Sequence, residues 1–150
     1  MRRIALFLVL FVLPLALVAC HETSSDDSTT TTNTEAAVNV KEGETADLGG
    51  VKITIVKSAL ETSQLTVSVR VENQSSSVIS LKGSALTATD ASNTNGLPTT
   101  CGGRGGFSGD LAVGDKLDST VCWFMVGAKP PITVTFSSGT HKASFTLAVQ

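Results

Sequence analysis

From Val38 to the C-terminus, apolar and polar side chains alternate in short runs, and no stretch keeps a 3.6-residue period. Alternation marks half-buried β-strands, because successive side chains of a strand point to opposite faces. LTVSVRVEN, residues 65–73, is the clearest case. Leu65, Val67, Val69 and Val71 share one face, while Thr66, Ser68, Arg70 and Glu72 share the other. VKITIVKSAL (51–60) groups Val51, Ile53 and Ile55, and ITVTF (132–136) and ASFTLAV (143–149) repeat the period of two. Shorter runs at 78–82 and 84–90, and the apolar TVCWFMV at 120–126, complete a set of about seven strands. Turn residues separate them: Thr62–Ser63, Asn73 to Ser77, Asn95–Gly96, Lys129–Pro130–Pro131 and Ser137 to Thr140. This pattern predicts an all-β domain, an antiparallel β-sandwich with one wet face on each sheet. Roughly twenty inward apolar side chains, each stabilising by about 1.5–3 kcal/mol on burial, suffice for one core.

The pattern before Val38 is different. After Arg2 and Arg3, residues Ile4 to Ala19 run without a charge. A basic start followed by a short apolar run is the layout of a secretory signal peptide. A helix over that run would reach about 24 Å, whereas a comfortable membrane span takes roughly 20 apolar residues. Pro14 interrupts it as well. An uncleaved membrane anchor is the alternative. The run ends in Leu17-Val18-Ala19-Cys20, which resembles the lipobox of bacterial lipoproteins. That resemblance implies cleavage before Cys20 and acylation of its sulfur, so that the membrane itself becomes a partner. The alternative is an ordinary signal peptide with a cysteine at its end by chance. His21, rather than Asp, follows the cysteine; by the sorting rule of such lipoproteins this points to the outer membrane or cell surface. Residues 21–37, HETSSDDSTTTTNTEAA, lack any large apolar side chain and cannot bury enough surface to offset their ordering entropy. The expected organisation is therefore a signal peptide (1–19), a lipid-anchored Ser/Thr-rich tether (20–37) and one sandwich domain (38–150).

Charge narrows the class of partner. The full chain carries 11 basic and 13 acidic residues. Four of the acids, Glu22, Asp26, Asp27 and Glu35, lie in the tether, and the signal peptide holds Arg2 and Arg3, so residues 38–150 are formally neutral. The bases of the domain are scattered singly between Lys41 and Lys142. Nucleic-acid binders carry a basic stripe, so no nucleic-acid partner is expected.

Of the three cysteines, lipidation of Cys20 leaves Cys101 and Cys122 as a pair. In an oxidising compartment such a pair bridges. Closing a loop of about 22 residues stabilises by about 3 kcal/mol. No CxxC is present, and the histidines, His21 and His141, stand far apart in sequence, so neither a metal nor another cofactor is expected. The stretch CGGRGGFSGD (101–110) matches neither GxxxxGK[ST] nor GxGxxG nor GxSxG. It reads as a glycine-rich surface loop held at one end by the cysteine bridge. Asp110, Asp115 and Asp118 lack the spacing and closing Glu of a calcium loop. Glu42 and Glu44, two apart, are expected to point the same way and stay solvated, and His141 is expected in a solvated turn. No nucleophile–base motif points to an enzyme.

The run TVCWFMV is apolar on both faces. If Cys122, Phe124 and Val126 face the core, then Val121, Trp123 and Met125 turn outward and become candidate partner contacts, joined by Arg104 in the glycine-rich loop. Trp in a contiguous apolar patch is characteristic of interaction sites. The competing reading has a loop covering those side chains.

Three segments together carry a further resemblance: Val40–Gly50 (VKEGETADLGG), Val71-Glu72-Asn73 at the end of a strand, and Leu111…Gly114…Phe124-x-Val126. Their order resembles a family of bacterial lipoprotein domains with an immunoglobulin-like sandwich, similar in fold to a secreted immunoprotective mycobacterial antigen. The resemblance implies an immunoglobulin-like topology and brings no catalytic residues. The expected function is a non-enzymatic binding module held on the extracytoplasmic side of the cell envelope, with a protein or other envelope ligand. The alternative is a structural or stress-related accessory that supports another complex.

Overall fold

A computed structural model describes residues 37–102 and 107–149. The signal-peptide segment, Cys20, nearly all of the proposed tether, and Arg104 lie outside the described residues.

Eleven short strands fold into an immunoglobulin-like β-sandwich: β1 (Val38–Lys41), β2 (Thr45–Leu48), β3 (Val51–Glu61), β4 (Gln64–Asn73), β5 (Ile79–Leu81), β6 (Leu86–Thr89), β7 (Leu97–Thr99), β8 (Gly109–Leu111), β9 (Lys116–Phe124), β10 (Ile132–Ser138) and β11 (His141–Leu147). One sheet has the order β1-β11-β10-β6 and the other β2-β3-β4-β9-β7, while β5 and β8 form a separate two-stranded ribbon. All pairings are antiparallel except that of β1 with β11. The expected strands at 51–60, 65–73, 132–136 and 143–149 correspond to β3, β4, β10 and β11. Strands β1, β2, β7 and β8 have only three or four residues each, too short for alternation to reveal them.

The inward faces follow the period of two. Leu65, Val67, Val69 and Val71 of β4 are fully buried, as are Ile53 and Ile55 of β3, and they meet Ile132, Val134, Phe136, Phe145 and Leu147 of the opposite sheet in one core. In β3 the alternation changes phase. The register with β4 shifts between Ile55 and Lys57, so Val56 is left out of the ladder and half exposed, and Ser58 and Leu60 then take the face that Ile53 and Ile55 held. A bulge of this kind adds one residue to one strand and turns its side chains over. Glu42 braces it. Its carboxylate accepts the Ser58 N–H and hydroxyl, each at 2.7 Å, and the next residue, Gly43, donates its N–H to the Ile55 carbonyl. Glu42 is thus partly buried and engaged, contrary to the solvated position expected from its spacing to Glu44. It lies in the turn after β1, where strand parity does not apply.

Asn73, the last residue of β4, is fully buried. Its amide nitrogen donates to the carbonyls of Ser77 (2.8 Å) and Leu111 (2.9 Å), and its side-chain oxygen accepts from the N–H (3.1 Å) and hydroxyl (2.6 Å) of Ser75. All four hydrogen-bonding positions of the carboxamide are filled. Its backbone bonds Asp115 and Gly114 in the turn before β9. The asparagine therefore joins the end of β4, the turn that follows it, the ribbon strand β8 and the approach to β9. Gly50 fits the same junction: its carbonyl accepts the Gln74 N–H, its φ is +92°, and a Cβ there would lie 2.9 Å from the backbone of Ser75. The motif residues Val71-Glu72-Asn73, Gly50 and Leu111…Gly114, distant in sequence, meet at one place.

Replacing Asn73 by Ala removes the buried hydrogen bonds that its carboxamide makes to Leu111, Ser77 and Ser75. We expect Asn73→Ala to lower unfolding free energy by about 2–3 kcal/mol, measured by urea denaturation of residues 38–150, with Ser76→Ala, in the same exposed turn, close to neutral.

Candidate functional site

The register of β4 with β9 decides the faces of the apolar strand. Leu65 pairs with Trp123, Val67 with Val121, Val69 with Ser119 and Val71 with Leu117. Since the odd residues of β4 are the buried ones, Leu117, Val121, Trp123 and Met125 point inward. Trp123 is 1% exposed and Met125 5%, and Val121 packs partly buried against the core. These three side chains are therefore core residues and not the outward partner contacts expected above. Gly96, just before β7, packs against two of them: a Cβ there would fall 2.9 Å from the Trp123 Cβ and 3.0 Å from the Met125 Cγ. Only glycine allows the chain to approach this closely.

The side chains of β9 on the outer face are Asp118, Thr120, Cys122, Phe124 and, just beyond the strand, Val126. Cys122 is buried even so, because Cys101 lies over it. The two are joined as a disulfide, their Cα atoms 5.5 Å apart, within the range a bridge requires. The glycine-rich loop has a second fixed point that its composition hid. Phe107 is 2% exposed and meets Phe136 edge-on, ring centroids 6.0 Å apart at 82°. The segment is held by sulfur on the outer face of one sheet and by an aromatic ring inside the sandwich.

Beyond the bridge the same face is apolar and open. Phe124 is 49% exposed, its cross-strand neighbour Leu97 65%, and Val126 69%. Phe124 separates two surface clefts. One, of 210 Å³, is bordered by Thr94, Asn95, Leu97 and Val126, with the Asp90 carboxylate at its edge. The other, of 560 Å³, is bordered by Glu61, Ser63, Gln64, Thr99 and Thr100. A separate groove of 670 Å³ runs along β1 and β11, past Val40, Pro131 and Leu147.

Four charged groups of β4 and β9 pair across the two strands. On the outer face of the larger sheet Arg70 grips Asp118 with Nε to Oδ1 at 2.7 Å and Nη2 to Oδ2 at 3.3 Å, and Lys116 meets Glu72 at 2.9 Å. The hydrogen bond from Arg70, and then its charge, holds the Asp118 carboxyl below the ordinary carboxylate range, and the same contact raises Arg70. Asp118 thus belongs to a cross-strand ladder. Among the described residues no three His, Cys, Asp or Glu side chains gather as metal ligands do. His141 opens β11, half-buried, beside Gly49. Among the described residues the one buried carboxylate is Asp90. Its oxygens accept backbone N–H groups from Thr94 (2.8 Å), Ser92 (2.9 Å) and Lys129 (3.0 Å). These bonds, that of Thr94 first, depress its pKa. Asp90 shapes the turn that carries Thr94 and Asn95, and three backbone N–H groups hold its carboxylate in place.

No protein-family description matches the sequence, and no curated protein sequence matches it. Solved structures do. The chain is similar to the yjhA protein of Bacillus subtilis, with 17% identity and a TM-score of 0.61 over 72% of this chain and 98% of that one. It is similar to MPT63, a secreted protein of Mycobacterium tuberculosis, with 12% identity and a TM-score of 0.59 over 75% of this chain and 98% of that one. It is also similar to ycdA of Bacillus subtilis, a candidate lipoprotein, with 10% identity and a TM-score of 0.56 over 68% of this chain and 37% of that one. At these identities the likeness is one of fold, and it agrees with the immunoglobulin-like sandwich expected from the sequence.

Two outcomes follow for the framework of this face. Reduction of the bridge, or paired Cys101→Ser and Cys122→Ser, is expected to lower stability by about 3 kcal/mol, read as a shifted urea midpoint. Because the native pKa of Asp90 is depressed, its contribution is complete above the ordinary carboxylate pKa and lost as pH falls through the native value. Melting temperature should fall in acid for the native chain, and Asp90→Asn should show a lower melting temperature at pH 7 with a shallower acid decline.

Proposed function

We propose that this chain is a lipid-anchored extracytoplasmic protein whose sandwich is a non-enzymatic binding module. The observation that carries the reading is a double one about cysteine. Cys20 closes a charge-free run in the pattern Leu-Val-Ala-Cys, and the two remaining cysteines, 21 residues apart in sequence, are brought by folding to bridging distance. A structural disulfide suits an oxidising compartment, and the lipobox-like end of the run suits delivery to it. The likeness in fold to a secreted protein and to a candidate lipoprotein is in keeping with that location.

The binding role draws on what the polar groups already do. Asp118, Glu72, Asp90 and Glu42 are each engaged in holding strands or turns together. An acid–base catalyst needs a group within reach of substrate and poised to exchange a proton. A rigid two-sheet scaffold that exposes an aromatic and two aliphatic side chains on one face offers instead a surface for contact.

The test is the intact mass of the native protein extracted from membranes. We expect a mass of residues 20–150 plus acyl chains, with two thiols alkylated only after reduction. Cys20→Ser should release the protein from the membrane fraction. An unacylated mass, or thiols that label without reductant, overturns the reading.

A further inference from the structure

We propose that the face around Phe124 binds a neutral glycan chain, with the Phe124 ring as a stacking platform between two sugar-binding clefts. This rests on the reading of the sandwich as a binding module and names its ligand class.

The first argument is the chemistry of the lining. Phe124 is half exposed and forms a wall of both clefts. A flat aromatic face flanked by hydrogen-bonding groups suits a sugar ring, which presents a face of C–H bonds and a rim of hydroxyls. The rims provide these groups in uncharged form: Thr94 and Asn95 on one side, Ser63, Gln64, Thr99 and Thr100 on the other. Asn95 accepts the Thr89 hydroxyl at 3.0 Å through its oxygen, which leaves its amide nitrogen as a donor. No lysine or arginine lines either cleft. Of the two carboxylates present, Asp90 is tied into its turn by three backbone N–H groups, and Glu61 borders the wider cleft. A lining of this kind matches a ligand rich in hydroxyls and poor in charge, and it offers nothing to a polyanion.

The second argument concerns the edge. Strand β7 is the outer strand of its sheet, where an extended peptide could add by backbone pairing. Pro98, at its middle, has no N–H to give, and proline at an edge blocks such addition. A ligand on this face is therefore gripped by side chains.

The third argument is placement. Chain entry to the domain is at Val38, which pairs with Ala143. Ala143 is close to His141, itself against Gly49 at the end of the sandwich where Val51 meets Asn73. Phe124 pairs with Gln64 at the opposite end and neighbours the far edge strand. A domain held by its N-terminal side thus presents the Phe124 face away from that attachment, toward polymers of the surroundings.

Affinity electrophoresis of residues 38–150 through gels containing soluble hydroxyethyl cellulose, glycol chitin or mannan, followed by calorimetry with N-acetylglucosamine hexamer and cellohexaose, tests the proposal. We expect retardation by at least one polymer, weakened about tenfold by Phe124→Ala, the factor of an aromatic contact of about 1.4 kcal/mol. Phe124→Trp should retain or strengthen it, and Asn95→Ala should weaken it. Lys142→Ala, on the other sheet, should leave it unchanged. An unchanged melting temperature shows that Phe124→Ala still folds. Retardation insensitive to Phe124→Ala and Asn95→Ala overturns the site. If no polymer or oligosaccharide binds, the glycan proposal falls. Photo-crosslinking from position 97 in intact cells then separates two cases. A protein adduct leaves the binding-module reading standing with a different ligand class, and the absence of any adduct removes both.

Discussion

The Asn73 carboxamide is the interaction on which the rest of this sandwich depends. It is buried without exposure to solvent, so every donor and acceptor it carries must be met from within the protein. Ser75 and Ser77 in the turn that follows, and the Leu111 carbonyl, meet that demand, while the backbone of Asn73 pairs with Gly114 and Asp115. The β5–β8 ribbon has only three residue pairs, too few to be stable alone. A single satisfied side chain lets it share the rigidity of the long β3–β4–β9 core. Once β9 is registered at its start by Gly114 and Asp115, the face that each of its later residues presents is determined, down to Trp123 inside and Phe124 outside.

Much of this architecture is visible in the sequence, for reasons that also explain what is not. Alternation over ten residues, as in β4, is a sum of many independent hydrophobic choices, all in agreement. Strands of three or four residues offer two inward positions at most, and β7 and β8 are hidden by proline and glycine. The phase of β3 is lost at Val56, because the bulge is braced by hydrogen bonds from Ser58 to the carboxylate of Glu42, which lies outside the strand. The orientation of β9 stays open in the sequence for a different reason. Both of its faces are apolar, and the choice between them is made by its partner Leu65 and by the missing side chain of Gly96, neither of which lies in the strand. Phe107 resembles a loop residue in its glycine-rich surroundings, and only the position of Phe136 across the core makes it a plug. The cysteine pair was legible by arithmetic alone, whereas the open patch on the same strand became visible only with the register.

The two halves of the larger sheet's outer surface have different characters. Toward Asn73 it is a ladder of opposite charges, Arg70 with Asp118 and Lys116 with Glu72, which satisfies itself across the strands. Toward Phe124 it is aliphatic and aromatic, with hydroxyl and amide groups around it. The disulfide lies between them. It covers the sulfur of Cys122 and leaves Phe124, two residues further on, uncovered. The cross-link therefore marks the boundary between the charge-paired part of this surface and the open apolar part.

The parallel pairing of β1 with β11 has a mechanical consequence. A chain held from its N-terminal side and gripped on the opposite end receives tension along β1. Because β1 lies flat against β11 over four consecutive residue pairs, a pull along the strand axis loads their hydrogen bonds together, in shear, instead of peeling them one at a time. The strand at the entrance to the domain is only four residues long, yet its geometry makes it a clasp. Load passes from it through β11 into β10 and the core.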